Sequence, residues 1–139
     1  MKTLYTAHAA ATSGRDGHVT TADGLVSLDL SVPKPMGGPG KVGASNPEML
    51  FAAGYSACFG GAMEFVAKQR TLDLGPITVQ GAVSFGVEEA GHFRLGVTLT
   101  GAVPGQSAAF VQELMEAAHQ VCPYSRATRN NIDVVLVGS

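Results

Sequence analysis

Two periodicities divide the chain. "LVSLDLSV" (25–32) puts Val26, Leu28, Leu30 and Val32 on one side, a period of two that predicts a half-buried strand. "ITVQGAVSFGV" repeats the pattern through Ile77, Val79, Val83, Phe85 and Val87, and "FRLGVTLTGAV" through Phe93, Leu95, Val97, Leu99 and Val103. "EEAGH" joins these two runs, which predicts a long hairpin. "IDVVLV" reads as a final strand, and residues 3–11 as a weaker first one. The turn-rich "TSGRDGHVTTADG" then makes the N-terminal third a meander of hairpins. Helical spacing appears twice. Residues 107–121 form an amphipathic helix through Phe110, Leu114, Ala117, Ala118 and Val121, and Pro123 interrupts or re-starts it. The other helix opens at "SNPE", where Ser45 or Asn46 can cap, Pro47 suits the first position and Glu48 complements the dipole; it runs to about Arg70. The order β-β-β-α-β-β-α-β, with antiparallel runs of strands around helices, predicts an α+β fold in one domain spanning 1–139.

The first helix departs from the usual one-sided pattern. No charge lies between Glu48 and Glu64 in "MLFAAGYSACFGGAMEF" (49–65), and a helix apolar all round must be covered all round. Ala53, Ala57 and Gly61 fall four apart in a small-residue stripe. Glycine inside a helix costs about 1 kcal/mol relative to alanine, so its use points to a close approach by another backbone. We expect this helix to pack against its own copy across a two-fold axis in an intertwined homodimer. Close contact with a strand of the same chain is the plainer alternative.

Composition narrows the classes of function. A chain of 139 residues can bury roughly two-thirds of its unfolded surface without disulfide staples. Its content is 45% hydrophobic against 14% charged, apolar for a soluble domain and consistent with burial between subunits. A net charge of -2 and no Trp leave no footprint for nucleic acid or an anionic membrane. The N-terminus lacks a continuous apolar signal region, and the uncharged run 49–63 is too short for a membrane span and interrupted by glycines. A cytoplasmic location is the default, where two cysteines are expected reduced or reactive.

Four residues stand out as candidates, each with a plain reading beside it. Cys58 lies mid-helix among apolar neighbours, where a cysteine is by default a small hydrophobe. A reactive thiolate there needs a nearby positive charge or donor. A helix interior supplies no free backbone N–H, so a reactive Cys58 must be served by a side chain from elsewhere. Cys122 ends a helix before Pro123, and "CPYS" is a weak relative of a CxxC redox motif with Ser125 in the second place. Arg15, in the Gly-flanked turn "SGRDG", is by default a solvated charge, and Glu48 a first-turn dipole residue. His8, His18, His92 and His119 are scattered without ligand spacing, so no metal site is expected. No Ser-His-Asp signature, phosphate loop or dinucleotide fingerprint is present.

Taken together, "NPEMLFAAGYSACFGGAM" and, more than sixty residues on, "VCPYSRATRNNIDV" resemble the OsmC/Ohr family, the organic hydroperoxide resistance branch in particular. "LYTAHAAATSGRDG" and "LSVPKPMGGPG" extend the likeness over essentially the whole chain. The resemblance implies an intertwined dimer and a thiol-dependent peroxidase that reduces organic hydroperoxides, including those of fatty acids, to alcohols. It implies Cys58 as the peroxidatic cysteine, Cys122 as the resolving cysteine, Arg15 as the residue that activates the thiolate, and Glu48 as the carboxylate that orients Arg15. No bound cofactor is implied. The reductant would be dihydrolipoamide or a lipoylated protein.

Glu48 and Cys58 are ten residues apart on one helix, about 15 Å at 1.5 Å per residue. Either that helix breaks near Gly54, or the Arg15–Glu48 pair serving one Cys58 comes from the partner chain. The small-residue stripe favours the second. Competing readings are an OsmC-type osmotically induced peroxidase of broader substrate use, and a non-catalytic dimeric acyl-binding module with a structural disulfide.

Overall fold

The computed structural model describes residues 1–139. Its strands are β1 (Ala9–Thr12), β2 (His18–Thr21), β3 (Ser27–Asp29), β4 (Thr78–Val87), β5 (Phe93–Ala102) and β6 (Val134–Gly138). Its helices are α1 (Pro47–Gln69), α2 (Ala108–Val121) and the short α3 (Pro123–Thr128). The predicted α+β order is therefore present. The chain forms two compact units, Met1–Leu50 and Phe51–Ser139.

The first unit is a three-stranded antiparallel meander, β1-β2-β3. Turn chemistry dominates it. Ser13 and Gly14 both take positive φ, 60° and 56°, and lead into a single 3-10 turn, Gly14–Asp16. Gly17 is required at the exit, because a Cβ there would stand 1.7 Å from the Thr12 carbonyl oxygen. The alternation of 25–32 overstates β3, which spans three residues, with Val26 and Leu28 exposed and Leu30 buried. The backbone turns there toward Ser45, with Ser31 N donating to Ser45 O at 2.9 Å and Ser45 N to Asp29 O at 2.8 Å. Of the two proposed caps, Asn46 serves: its Oδ1 accepts from Met49 N at 2.8 Å.

The second unit is a sheet in the order β4-β5-β6 with α1, α2 and α3. β4 and β5 form the expected hairpin, closed by Glu88 N to His92 O and Gly91 at φ 83°. β6 corrects the all-antiparallel expectation, since it pairs parallel to β5. A parallel neighbour needs a crossover, and α2 with α3 provides one. Ser107 caps α2 by accepting from Phe110 N. The buried stripe of α2 is Val111, Leu114, Met115 and Ala118, rotated from the predicted one, and Val121 is exposed.

α1 runs unbroken through Gly54. By length and composition alone it is apolar enough to cross a membrane. Its inner side, however, is core: Tyr55, Phe59, Met63 and Val66 share one cluster with Val97, Leu99, Leu114 and Met115. Its other side, Met49, Ala53, Ala57, Gly61 and Phe65, is exposed. The helix closes without glycine. Thr71 takes φ 55°, Leu72 N bonds Ala67 O and Thr71 N bonds Lys68 O, a Schellman closure.

Candidate active site

In the first unit the turn Gly14–Asp16 presents Arg15, and the start of α1 presents Glu48. Asp16 Oδ1 accepts from Val32 N at 3.0 Å and Leu30 N donates to Gly17 O at 2.8 Å, which fastens the turn to the segment after β3. The Arg15 guanidinium then meets the Glu48 carboxylate in a two-point fork, Nη1 to Oε2 at 2.9 Å and Nη2 to Oε1 at 2.8 Å. Glu48 is 12% exposed at its side chain and Arg15 38%. The hydrogen bonds from Arg15 hold the Glu48 carboxyl below its ordinary value, and the same bonds raise Arg15. The pair is thus fully ionised at neutral pH, and the planar fork fixes the direction of the guanidinium as a lysine ammonium could not.

In the second unit α1 carries Cys58 and the end of α2 carries Cys122. Both thiols are free, and their sulfurs stand 3.6 Å apart. Cys122 is fully buried, whereas Cys58 is partly open to solvent. A disulfide is about 2.05 Å long, so the sulfurs need to close by roughly 1.5 Å to bond. Burial pushes the Cys58 thiol above its ordinary value; the backbone N–H of Tyr124 pulls it down, and the Cys122 sulfur pushes it further up. Tyr124 also stacks on Phe51 and packs against Tyr55, with ring centroids 6.2 and 5.6 Å away.

The expectation that a side chain alone would serve Cys58 is departed from in part, since the main chain of Tyr124 lowers the thiol. That main-chain group belongs to a second helix, which no residue pattern announces. Two further features went unread in the sequence. His119, set aside as scattered, contacts Ser125 Oγ, and Tyr55, read as apolar, carries a buried hydroxyl bonded to Ser125 and Thr128. Tyrosine, serine and histidine on separate helices leave no periodic mark. Arg129 is not a free surface charge, since its guanidinium donates to the His119 carbonyl. No group of three or more His, Cys, Asp or Glu side chains converges.

A family model described as OsmC-like protein matches residues 38–137. The chain belongs to this family. An organic hydroperoxide resistance protein of Xanthomonas axonopodis pv. citri is 52% identical over 97% of this chain and 94% of its own. The organic hydroperoxide resistance protein OhrB of Bacillus subtilis is 46% identical over 96% of each. Among solved structures, an organic hydroperoxide resistance protein of Legionella pneumophila, also described as a predicted redox protein and regulator of sulfide bond formation, superposes with a TM-score of 0.89. It is 46% identical and covers 97% of both chains. As an OsmC-family chain, the protein has the two-sheet α+β architecture of those relatives.

Proposed function

We propose that this chain is an enzyme, a thiol-dependent peroxidase that reduces organic hydroperoxides to alcohols. The observation that carries the reading is the pair of free sulfurs 3.6 Å apart, one buried and one accessible. The names of the relatives, organic hydroperoxide resistance proteins at 46–52% identity, supply the substrate class.

The chemistry runs in three balanced steps. The Cys58 thiolate attacks the distal oxygen of R–O–OH; the O–O bond breaks, the alkoxide takes a proton and leaves as R–OH, and Cys58 becomes a sulfenic acid. The Cys122 thiol condenses with it, so an S–S bond forms, the S–O bond breaks and water leaves. A dithiol then reduces the disulfide by exchange and is itself oxidised to a disulfide. Because Cys122 is fully buried, the external thiolate attacks the Cys58 sulfur and Cys122 is the leaving thiolate.

Arg15 has the charge this scheme needs. Burial disfavours the Cys58 thiolate, and a guanidinium beside it favours the thiolate and stabilises charge on the peroxide oxygens. Glu48 keeps that guanidinium aimed through the two-point fork. The exposed apolar side of α1, with Gly61 open to close approach, supports the homodimer. Dihydrolipoyl groups are the proposed reductant, and a cytoplasmic setting suits such chemistry.

A turnover assay tests the reading, with tert-butyl hydroperoxide and hydrogen peroxide in parallel and dihydrolipoamide or thioredoxin as reductant. Turnover is expected with dihydrolipoamide and to be faster on the organic hydroperoxide. Undiminished multiple turnover by Cys58→Ser would overturn it.

A further inference from the structure

Three helices meet at one buried polar chain beside the thiols. Tyr55 precedes Cys58 by three residues on α1, and its ring is fully buried. Its hydroxyl lies 2.9 Å from Ser125 Oγ and 3.1 Å from Thr128 Oγ1, both on α3. Ser125, also fully buried, lies 2.8 Å from Nδ1 of His119, three residues before Cys122 on α2. Thr128 Oγ1 donates to the main-chain carbonyls of Tyr124 and Ser125 at 3.1 and 3.2 Å.

Counting protons gives the chain a direction. The carbonyls bring none, so the Thr128 proton is committed to them and Thr128 must accept from Tyr55. Tyr55 then accepts from Ser125, and Ser125 accepts from a protonated His119 Nδ1. Any other assignment leaves one of these close contacts without a hydrogen, a cost of about 1–3 kcal/mol in a buried site. The chain therefore runs one way from His119 to the carbonyls of Tyr124 and Ser125, and the main chain of Tyr124 in turn lowers the Cys58 thiol. At the other end, His119 borders an open polar pocket with Arg94, Arg129 and Asn131.

α3 has six residues, too few to hold its own shape. Yet it follows Cys122 directly and carries Tyr124, Ser125 and Thr128. We infer that Tyr55 is a positioning residue for the thiol pair: its hydroxyl, through Ser125 and Thr128, clamps α3 so that the Cys122 sulfur, directly before that helix, faces Cys58 at 3.6 Å. As regards peroxide turnover, this rests on the peroxidase reading; as regards thiol reactivity, it does not. During resolution the two sulfurs must close by roughly 1.5 Å, and the clamp keeps that motion on course.

The test is the pH profile of Cys58 alkylation by iodoacetamide in the intact protein, followed by mass spectrometry. Tyr55→Phe keeps the ring and deletes the hydroxyl; Ser125→Ala cuts the chain at its middle. Each is expected to move the profile to higher pH, slowing alkylation at pH 7 about threefold or more. Disulfide closure after one equivalent of tert-butyl hydroperoxide is expected to slow in the same variants, with sulfenic acid trapped by dimedone. His119→Leu should shift the profile, and His119→Asn, whose amide nitrogen stands where Nδ1 does, should move it back. If Tyr55→Phe does not fold, the two His119 variants at the pocket end carry the test. Wild-type alkylation profiles in Ser125→Ala and His119→Leu would overturn the inference. Shifted profiles in a wild-type protein that loses no thiol to hydroperoxide would retain the clamp and remove the peroxidase.

Discussion

The two candidate residue pairs, one in each unit, are built in opposite ways. Cys58 and Cys122 are thiols set with Tyr55, Phe59 and Met115 in the hydrophobic core cluster of the second unit. Arg15 and Glu48 are full charges held by two short hydrogen bonds in a unit with little buried apolar surface. Apolar packing fixes the first pair, so its distance is set but its thiol is pushed toward the inert, protonated form. Turn geometry and a charge fork fix the second, which keeps its guanidinium charged. The difference teaches that neither surrounding alone makes a peroxidatic thiolate. In the proposed peroxidase, burial favours an oily substrate, while charge supplies the reactivity that burial removes.

The sharpest break in this comparison is at the sulfur. Cys58→Ser is expected to lower hydroperoxide turnover by about a thousandfold or more, with thermal unfolding nearly unchanged. Next comes the cation. Arg15→Ala is expected to cost about a hundredfold in kcat/KM, and Arg15→Lys to recover little because an ammonium cannot make the fork. The same Arg15→Ala should move Cys58 alkylation to higher pH, in the direction that burial already pushes the thiol. Stability should fall by only about 1 kcal/mol, since Arg15 is more than a third exposed. A profile unchanged by Arg15→Ala would detach the charged pair from the thiol.

Smaller effects sharpen the same contrast. The folded-state value of Glu48 is depressed below its ordinary 4.5, so its contribution to stability is present above pH 4.5 and is lost as pH falls through the depressed value. Glu48→Gln should remove that acid limb from a chemical-denaturation series, whereas the thiol variants should keep it. Ala57→Arg, on the exposed side of α1, is expected to give a monomer by sedimentation while leaving the Arg15–Glu48 acid limb in place. The smallest effect is at the helix end: Thr71→Gly relieves a β-branched residue at φ 55° and should stabilise by about 1 kcal/mol without changing turnover.

Much of this was legible in the sequence, for reasons that differ by region. The β4–β5 hairpin was plain because Val97 and Leu99 alternate with polar residues against one core. The start of α1 was plain because Asn46, Pro47 and Glu48 each have a separate physical reason to be there. Its end was hidden, since Thr71 does there what glycine usually does. β3 was overread because alternation predicts burial, and the meander leaves Val26 and Leu28 exposed. The parallel pairing of β6 follows from the path of α2 and α3 and not from the composition of "IDVVLV". The four candidate side chains were visible as residues. What the sequence could not display was the hydroxyl chain of Tyr55, Ser125, Thr128 and His119, because tyrosine reads as apolar and these residues lie on separate helices.

The most direct measurement is a thiol count. The reduced protein is mixed with one equivalent of tert-butyl hydroperoxide, quenched with an alkylating agent and mapped by mass spectrometry, with tert-butanol measured alongside. The account predicts one tert-butanol formed, both thiols lost and a Cys58–Cys122 disulfide in each chain that reacts. Two thiols still free after the peroxide is added, or a tert-butanol yield that is the same in Cys58→Ser, would contradict it.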